Sequence, residues 1–196
     1  MNAKFEFTGE VNALGLKRIR AKIAIGISVK AGDLGGWIEN EDNVAPTGDA
    51  WVYGNAWVYG NAWVYGDAQV YGDARVYGNV RVYGNARVYG DAQVSGDARV
   101  YGNAWVYGNA WVSGNAWVYG DAHIFVVGPV GSRDAYLTAT VDAKIGIRIS
   151  TGCFSGSLSE FRAEVKKTHG ADSFHGRMYM GIANLIALKF NAEIEA

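Results

Sequence analysis

The feature that most constrains this chain is a six-residue repeat that runs without insertion from Ala50 to Asp121. Its pattern is Ala-X-Val-Tyr-Gly-Asn/Asp, and the first copy is the segment 50–55. Alternate residues of an extended strand point to opposite sides, so we expect Ala and Val to face inward and X and Tyr to face outward. Gly followed by Asn or Asp favours a turn, because both tolerate positive φ. Each copy therefore predicts one short strand and one corner.

The small residue two positions before each valine, as Ala50 before Val52, is similar to the signature of the left-handed β-helix hexapeptide-repeat family. The pattern covers all of 50–121, with Val80 replacing the small residue in one copy. The resemblance implies a left-handed parallel β-helix in which the copies form about four regular coils. The expected fold is mainly β.

Residues 1–49 are expected to form a small N-terminal β cap, ahead of a β-helix at 50–121. The stretches 4–8 and 18–25 alternate apolar and polar residues and end at glycines, which is typical of strands. The segment 31–39 is similar to the entry element of uncharacterised bacterial and phage hexapeptide-repeat proteins.

Residues 122–196 predict a small C-terminal α+β module, with strands near 136–142 and 145–150 followed by two helices. Ser157 and Glu160 form a capping box for the first helix, and Gly170 ends it. The second helix is expected near 173–190. Its predicted buried residues are Met178, Ile182, Leu185, Ile186 and Phe190.

Three short motifs, at 131–134, 151–156 and 168–170, resemble the C-terminal module of phage and prophage hexapeptide-repeat proteins. This resemblance implies a phage-like origin for the chain.

The composition limits which binding partners and which cellular compartment we expect for this chain. A net charge of −1 argues against a protein that binds long nucleic acids, which needs a clear excess of Lys and Arg. The single cysteine, Cys153, excludes an intramolecular disulfide framework and fits a reducing cytosol. Lys4 and Glu6 lie where a secretory signal would have its apolar stretch, and no apolar run is long enough to span a membrane. We expect a cytoplasmic protein, in the host cytoplasm if it is phage-encoded.

The outward X positions carry large aromatic rings in the first and fourth coils and Arg or Gln between them. The rings belong to Trp51, Trp57, Trp63, Trp105, Trp111 and Trp117. We expect the two flanking segments to cover these rings and the aromatic faces to build a homo-oligomer, with a trimer favoured. The alternative is that the outward tyrosines merely stack on one another.

A site for a small anion is predicted at the glycine- and serine-rich turn that precedes the first helix, where backbone N–H groups meet nearby cations. Its residues are Arg133, Gly152, Ser155, Gly156, Ser157, Lys166, Lys167 and His169. The alternative is an ordinary capped helix.

Catalytic, metal and cofactor sites are not predicted. Nothing in the sequence brings Cys153 and His169 together as a nucleophile and its base. The histidines His123, His169 and His175 lack the spacing of metal ligands.

These features favour a non-enzymatic, phage-like binding or scaffold protein that oligomerises through the β-helix. Its ligand is expected to be a host protein or a small anionic molecule, including a host defence signal that the protein sequesters. The alternative is an acyltransferase-like enzyme with an active site between subunits, because many proteins with this fold transfer acyl groups. Such an enzyme needs a histidine base, and His123 is the one histidine near the coils.

Overall fold

The computed structural model describes residues 2–119, 123–131 and 133–192. It shows a mainly β protein, a parallel β-solenoid of about five turns that is followed by two C-terminal helices. No described helix is both long enough and apolar enough to span a membrane.

The repeat forms twelve short strands, one per copy. They are β4 (Trp51–Val52), β5 (Trp57–Val58), β6 (Trp63–Val64), β7 (Gln69–Val70), β8 (Arg75–Val76), β9 (Arg81–Val82), β10 (Arg87–Val88), β11 (Gln93–Val94), β12 (Arg99–Tyr101), β13 (Trp105–Val106), β14 (Trp111–Val112) and β15 (Ala116–Tyr119). Each strand from β4 to β12 pairs in parallel with the strand three further along the chain, which produces three stacked faces. The β4 face contains β7, β10 and β13, and the other two faces follow the same rule.

The interior of the solenoid is a column of alanine and valine side chains. All of these residues between Ala50 and Val118 have an exposed fraction of 0 or 1%. Val80, which replaces alanine in one copy, is also fully buried. The predicted assignment of Ala and Val to the inside is confirmed, because the two-residue period of a strand places them on the same side.

The N-terminal segment forms three strands, β1 (Phe5–Val11), β2 (Lys17–Ala21) and β3 (Leu34–Ile38). Strand β2 pairs antiparallel with both β1 and β3, and β3 pairs in parallel with β5. A further parallel bridge joins Val44 to Val64. The solenoid path therefore begins ahead of Ala50, where the six-residue pattern could not indicate it.

The C-terminal segment contains β16 (Ile124–Val130), β17 (Ala135–Asp142), β18 (Gly146–Thr151), β19 (Phe154–Ser157), α1 (Leu158–His169) and α2 (Phe174–Lys189). Strand β17 pairs antiparallel with β15, so the β6 face of the solenoid continues into this module. The module has its own apolar core between its sheet and its two helices.

Two details of the module differ from the predictions. The segment 151–156, predicted as a turn, contains the start of β19, which pairs with β18. Leu185 is 56% exposed instead of buried. The buried face of α2 consists of Tyr179, Ile182, Ala183 and Ile186, which recur at the helical spacing of three and four residues and place Leu185 on the other side.

Candidate functional site

A pocket of about 370 Å³ opens in the C-terminal module, between the turn that joins β18 to β19 and the helices α1 and α2. Its floor is aromatic. The ring of Phe161 lies 5.5 Å from that of Phe154 and 5.8 Å from that of Tyr179, and Val165 follows Phe161 one helical turn later. A floor of this kind accepts a flat or apolar group of a ligand.

The Tyr179 hydroxyl is an unusual feature of this pocket. Tyr179 is only 8% exposed, yet its hydroxyl has no hydrogen-bond partner within the described part of the chain. It lies against Gly131, where a Cβ atom would collide with the hydroxyl oxygen, and Gly131 has a φ of 80°. The close approach therefore requires glycine, and it places the hydroxyl at the edge of the pocket.

The rim of the pocket carries one cation and one anion that differ in their partners. Arg133 is exposed, and its one contact among the described residues is from Nη1 to the Cys153 Sγ, at 3.6 Å. Glu164 instead accepts hydrogen bonds from the Thr168 hydroxyl at 3.0 Å and from Lys167 Nζ at 3.3 Å. These bonds, led by that from Thr168, lower the pKa of Glu164. Most of the Arg133 donors are thus available to an anion.

Three of the predicted anion-binding residues, Arg133, Gly152 and His169, line this pocket. Cys153 lines it too, so the fold brings Cys153 and His169 to one pocket although their sequence context gave no sign of it. The strands β17 and β18 and the antiparallel helices cause this meeting, and such long-range packing has no local sequence signal.

The other five predicted residues do not join them, which corrects the prediction of one anion site at the start of α1. The Ser157 N–H donates to Glu160 Oε2 at 2.7 Å, and the Glu160 N–H donates to Ser157 Oγ at 3.2 Å. The first of these bonds lowers the pKa of Glu160, which stays a carboxylate at the helix N-terminus. A ligand anion would be repelled there.

The remaining predicted residues either make other contacts within the protein or lie far from that cap. Ser155 Oγ accepts a bond from Arg148 Nη1 at 3.2 Å, and Gly156 is buried against Phe154 and Glu160. Lys166 and Lys167 lie near the far end of α1, about 13–15 Å along the helix axis from Ser157. The capped-helix alternative describes this end of the helix better.

The six repeat tryptophans differ in how far they are covered. Trp51 is fully buried and its ring packs 6.2 Å from that of Phe5, and Trp57 and Trp111 are half-buried. The other three remain exposed, with exposed fractions of 41% for Trp63, 43% for Trp105 and 38% for Trp117. The expectation that both flanks cover all six rings must therefore be corrected. The flanks join the solenoid through strand pairing at sheet edges and leave Trp63, Trp105 and Trp117 exposed.

Three of the rings lie under outward arginine side chains of the neighbouring solenoid turn. The guanidinium of Arg75 lies 4.7 Å from the ring of Trp57, and those of Arg87 and Arg99 each lie 5.5 Å from the rings of Trp105 and Trp117. These are cation–π contacts between directly paired residues. The repeat period itself places these residues in register, so the sequence contained a signal for these pairs.

Residues 50–66, 68–84, 80–96, 92–108 and 104–120 match the family model of the YdcK beta-solenoid repeat. The repeat of this chain is similar to the YdcK solenoid. A comparison with curated proteins finds no match.

Two serines, Ser95 and Ser113, replace the tyrosine of the six-residue repeat, and sequence reasoning missed their role. Both are buried. Ser113 Oγ lies 3.1 Å from Ser150 Oγ and 3.4 Å from Ser155 Oγ, so the β18–β19 hairpin packs where a tyrosine ring would otherwise project. The interruption of the tyrosine row was the available signal for the place where the C-terminal module docks.

Proposed function

We propose that this chain is a non-enzymatic binding protein, in which the β-solenoid is a scaffold and the C-terminal pocket binds a small ligand with an anionic group. One observation carries the proposal. The pocket of about 370 Å³ combines an aromatic floor with an Arg133 guanidinium and a Tyr179 hydroxyl that have donors to spare. Its volume lies in the range of about 300–1,000 Å³ that is typical of small-molecule sites.

The ligand chemistry follows from these groups. An aromatic or other flat group would rest on Phe154 and Phe161, while a phosphate or carboxylate would accept hydrogen bonds from Arg133. Glu164 already has partners and faces the same opening, so it disfavours a second anionic group on that side.

The origin and the family are also part of the proposal. The likeness of the segments 131–134, 151–156 and 168–170 to phage and prophage proteins supports a phage-like protein that acts in the host cytoplasm and sequesters a host signal. The six-residue period and the alanine–valine column support a left-handed solenoid of the hexapeptide-repeat kind.

We further propose a homo-oligomer, with a trimer favoured. Trp105 and Tyr107 protrude beside each other on one face of the last repeat turn, and Trp117 and Tyr119 on the next. Exposed aromatic rows of this kind are enriched in interfaces. The outward tyrosines also stack on one another, as Tyr71 does on Tyr89 with ring centroids 4.8 Å apart, and this stacking covers part of their apolar surface.

Binding of phenyl phosphate, followed by ligand-observed NMR, tests the pocket. We expect binding that weakens at least tenfold in Arg133→Gln and several-fold in Tyr179→Phe, because each change removes a donor to the phosphate. Phenol and inorganic phosphate, which each present half of the ligand, should bind more weakly. The matched control is Lys189→Gln, which removes an exposed cation at the end of α2 that is not part of the pocket lining.

Equal binding by Arg133→Gln and the unaltered protein would contradict the proposal, as would no binding of phenyl phosphate at all. A separate assay for consumption of acetyl-coenzyme A addresses the acyltransferase alternative. Turnover of the thioester would overturn the non-enzymatic assignment.

A further inference from the structure

A second cavity, of about 580 Å³, lies at the opposite end of the molecule, where the segment 40–46 meets strand β6 and the corner before it. It shares no residue with the C-terminal pocket. One of its walls is the ring of Trp63, and the others are formed largely by amide and carboxylate side chains.

Trp63 offers an aromatic surface that the protein itself does not cover. Its ring is 41% exposed and stacks on Tyr65 with the ring centroids 4.1 Å apart. Trp63 pairs in register with Arg81, yet no guanidinium of the described chain lies over its ring. Trp105, which has nearly the same exposed fraction, lies under Arg87. Trp63 is therefore an exposed repeat tryptophan that borders a cavity and is not covered by an arginine.

The polar groups beside this ring supply both donors and acceptors. Asn61 uses its Nδ2 to donate to Asn79 at 3.0 Å, which leaves its Oδ1 as an acceptor. Asn40 accepts the Asp42 N–H through Oδ1 at 2.9 Å, which leaves its Nδ2 as a donor. The Asp42 carboxylate is exposed and has no partner within the described residues. Such a mixture suits hydroxyl groups, which donate and accept at once.

The wall is held in place by a buried asparagine. Asn43 is 1% exposed, and its Nδ2 donates to the carbonyl oxygens of Gly60 and Ala62 at 3.0 and 2.9 Å. Its Oδ1 accepts the N–H groups of Glu39 and Asn40, both at 3.0 Å. The segment that carries Asn40 and Asp42 is thereby fixed against the solenoid corner that carries Asn61. A preformed site of this kind loses little entropy when a ligand binds.

The charged residues of the cavity indicate which charge a ligand can carry. None of the described residues that line it is Lys or Arg, whereas Glu41 and Asp42 are acidic. An anion is therefore disfavoured. A pyranose ring has an apolar C–H face that packs on an aromatic ring and a polar edge of hydroxyl groups, which matches the Trp63 ring and its amide and carboxylate neighbours. We propose that this cavity is a binding site for a neutral saccharide.

The test uses the full chain and three neutral trisaccharides, maltotriose, cellotriose and triacetylchitotriose, with saturation-transfer NMR and titration calorimetry. We expect at least one of them to bind. Trp63→Ala should weaken that binding at least tenfold, because the stacking surface is lost, and Asp42→Ala should weaken it at least threefold. The matched control is Tyr136→Ala, which removes a similarly exposed ring outside the cavity and should change the affinity less than twofold.

Circular dichroism of each variant checks that the solenoid remains folded. The proposal is overturned if no trisaccharide binds, if Tyr136→Ala weakens binding as much as Trp63→Ala, or if the cavity binds spermidine and none of the sugars. The last result would make it a site for cations. Arg133→Gln should leave saccharide binding unchanged, so this test and that of the C-terminal pocket can fail separately.

Discussion

The Lys4 side chain donates a 2.8 Å hydrogen bond from Nζ to the backbone carbonyl oxygen of Ala50. It also donates to the carbonyl oxygen of Gly48 at 3.2 Å. Within the repeat, some backbone N–H groups donate to carbonyl groups of the following turn, as Trp51 does to Ala68. A turn at the N-terminal end therefore exposes carbonyl groups that need donors, and Lys4 supplies them.

The opposite end has the opposite need, because its strands expose N–H groups. There the Trp111 N–H donates to the Thr138 hydroxyl at 2.9 Å, and the Asn115 N–H donates to Asp142 Oδ2 at 3.2 Å. The N-terminal segment thus provides side-chain donors from Lys4 and Asn43, together with one acceptor, Glu39, which receives the Gly60 N–H at 2.6 Å. The C-terminal module provides side-chain acceptors.

Replacement of Lys4 by methionine should lower the free energy of unfolding by about 1–3 kcal/mol at neutral pH, because two carbonyl groups lose their donor. Burial lowers the pKa of Lys4 from 10.5 to about 8, against the attraction of Asp49 and Asp67. Between pH 8 and 10.5 the unfolded chain therefore binds more protons at this residue than the folded chain, and stability rises with pH.

The stability gap between the unaltered protein and Lys4→Met should accordingly widen as the pH rises through that window, which urea unfolding at several pH values would measure. Lys30→Met is the control, since Lys30 is exposed, and its gap should stay near zero. A gap that is constant from pH 7 to 10.5 would contradict the assignment.

Replacement of Asp142 by asparagine should destabilise the junction between the solenoid and the C-terminal module by about 3 kcal/mol. Asp142 is buried and accepts a 2.7 Å bond from Arg148 Nε. Burial raises the pKa of its carboxyl group, but the bonds from Arg148 and from the Lys144 N–H outweigh this effect, and the pKa lies below the usual 3.8. The contribution is therefore present above pH 3.8 and is lost as the pH falls through the lowered pKa.

Denaturant unfolding of this variant at neutral and acid pH measures both the loss of stability and its dependence on pH. The stability difference should shrink below pH 3.8, where the carboxylate becomes protonated. Asp73→Asn, at an exposed corner, is the control and should change stability by less than about 0.5 kcal/mol. Equal losses in the two variants would show that Asp142 has no special role.

Patterns among residues that are close in sequence predicted the parts of this fold that depend on those residues alone. The two-residue period fixed the inside of the solenoid, and the capping box of Ser157 with Glu160 fixed the start of α1. The C-terminal pocket was only partly predictable, because Arg133, Cys153 and Tyr179 meet through packing between distant elements. The cover of Trp63 and Trp105 depends on how the flanks attach, and no local pattern encodes that attachment.

Introduction of a charge into the alanine–valine column, by Val88→Asp, should prevent folding. Val88 is fully buried, and an unpaired carboxylate there would cost at least several kcal/mol. Expression as insoluble protein, or loss of the β signal in circular dichroism, is the expected result. Gln93→Asp, at an outward position, should remain folded. A soluble and folded Val88→Asp protein would be incompatible with this interior.

Self-association through the aromatic faces is expected at micromolar concentration, and multi-angle light scattering should give the mass of a trimer. The double variant Trp105→Ser with Tyr107→Ser removes two exposed rings from one face and should shift the equilibrium towards the monomer. Val11→Ser with Leu14→Ser, which removes exposed apolar residues from the N-terminal cap, is the control. A monomer at every concentration would exclude this assembly and leave the aromatic faces to a different partner.

Restoration of the tyrosine row at Ser113 should detach the C-terminal module from the solenoid. In Ser113→Tyr the new ring would occupy the space of the β18–β19 hairpin, where Ser150 lies 3.1 Å from the serine hydroxyl. Overpacking of this kind costs about 1–3 kcal/mol. Limited proteolysis should then cleave the variant near residue 120 and release a solenoid fragment that still unfolds at its original temperature.

The reverse exchange at an exposed place in a neighbouring row, Tyr107→Ser, is the matched control, because Tyr107 is 51% exposed and contacts no part of the module core. It should be as resistant to protease as the unaltered chain. If Ser113→Tyr resists protease equally well, then the hairpin does not need a small residue there, and the two interruptions of the tyrosine row have no role in docking. Cleavage confined to the Ser113 variant would instead mean that the small residue at Ser113 defines where the module sits, in a row that carries tyrosine at Tyr59 and Tyr77 and serine at Ser95 and Ser113.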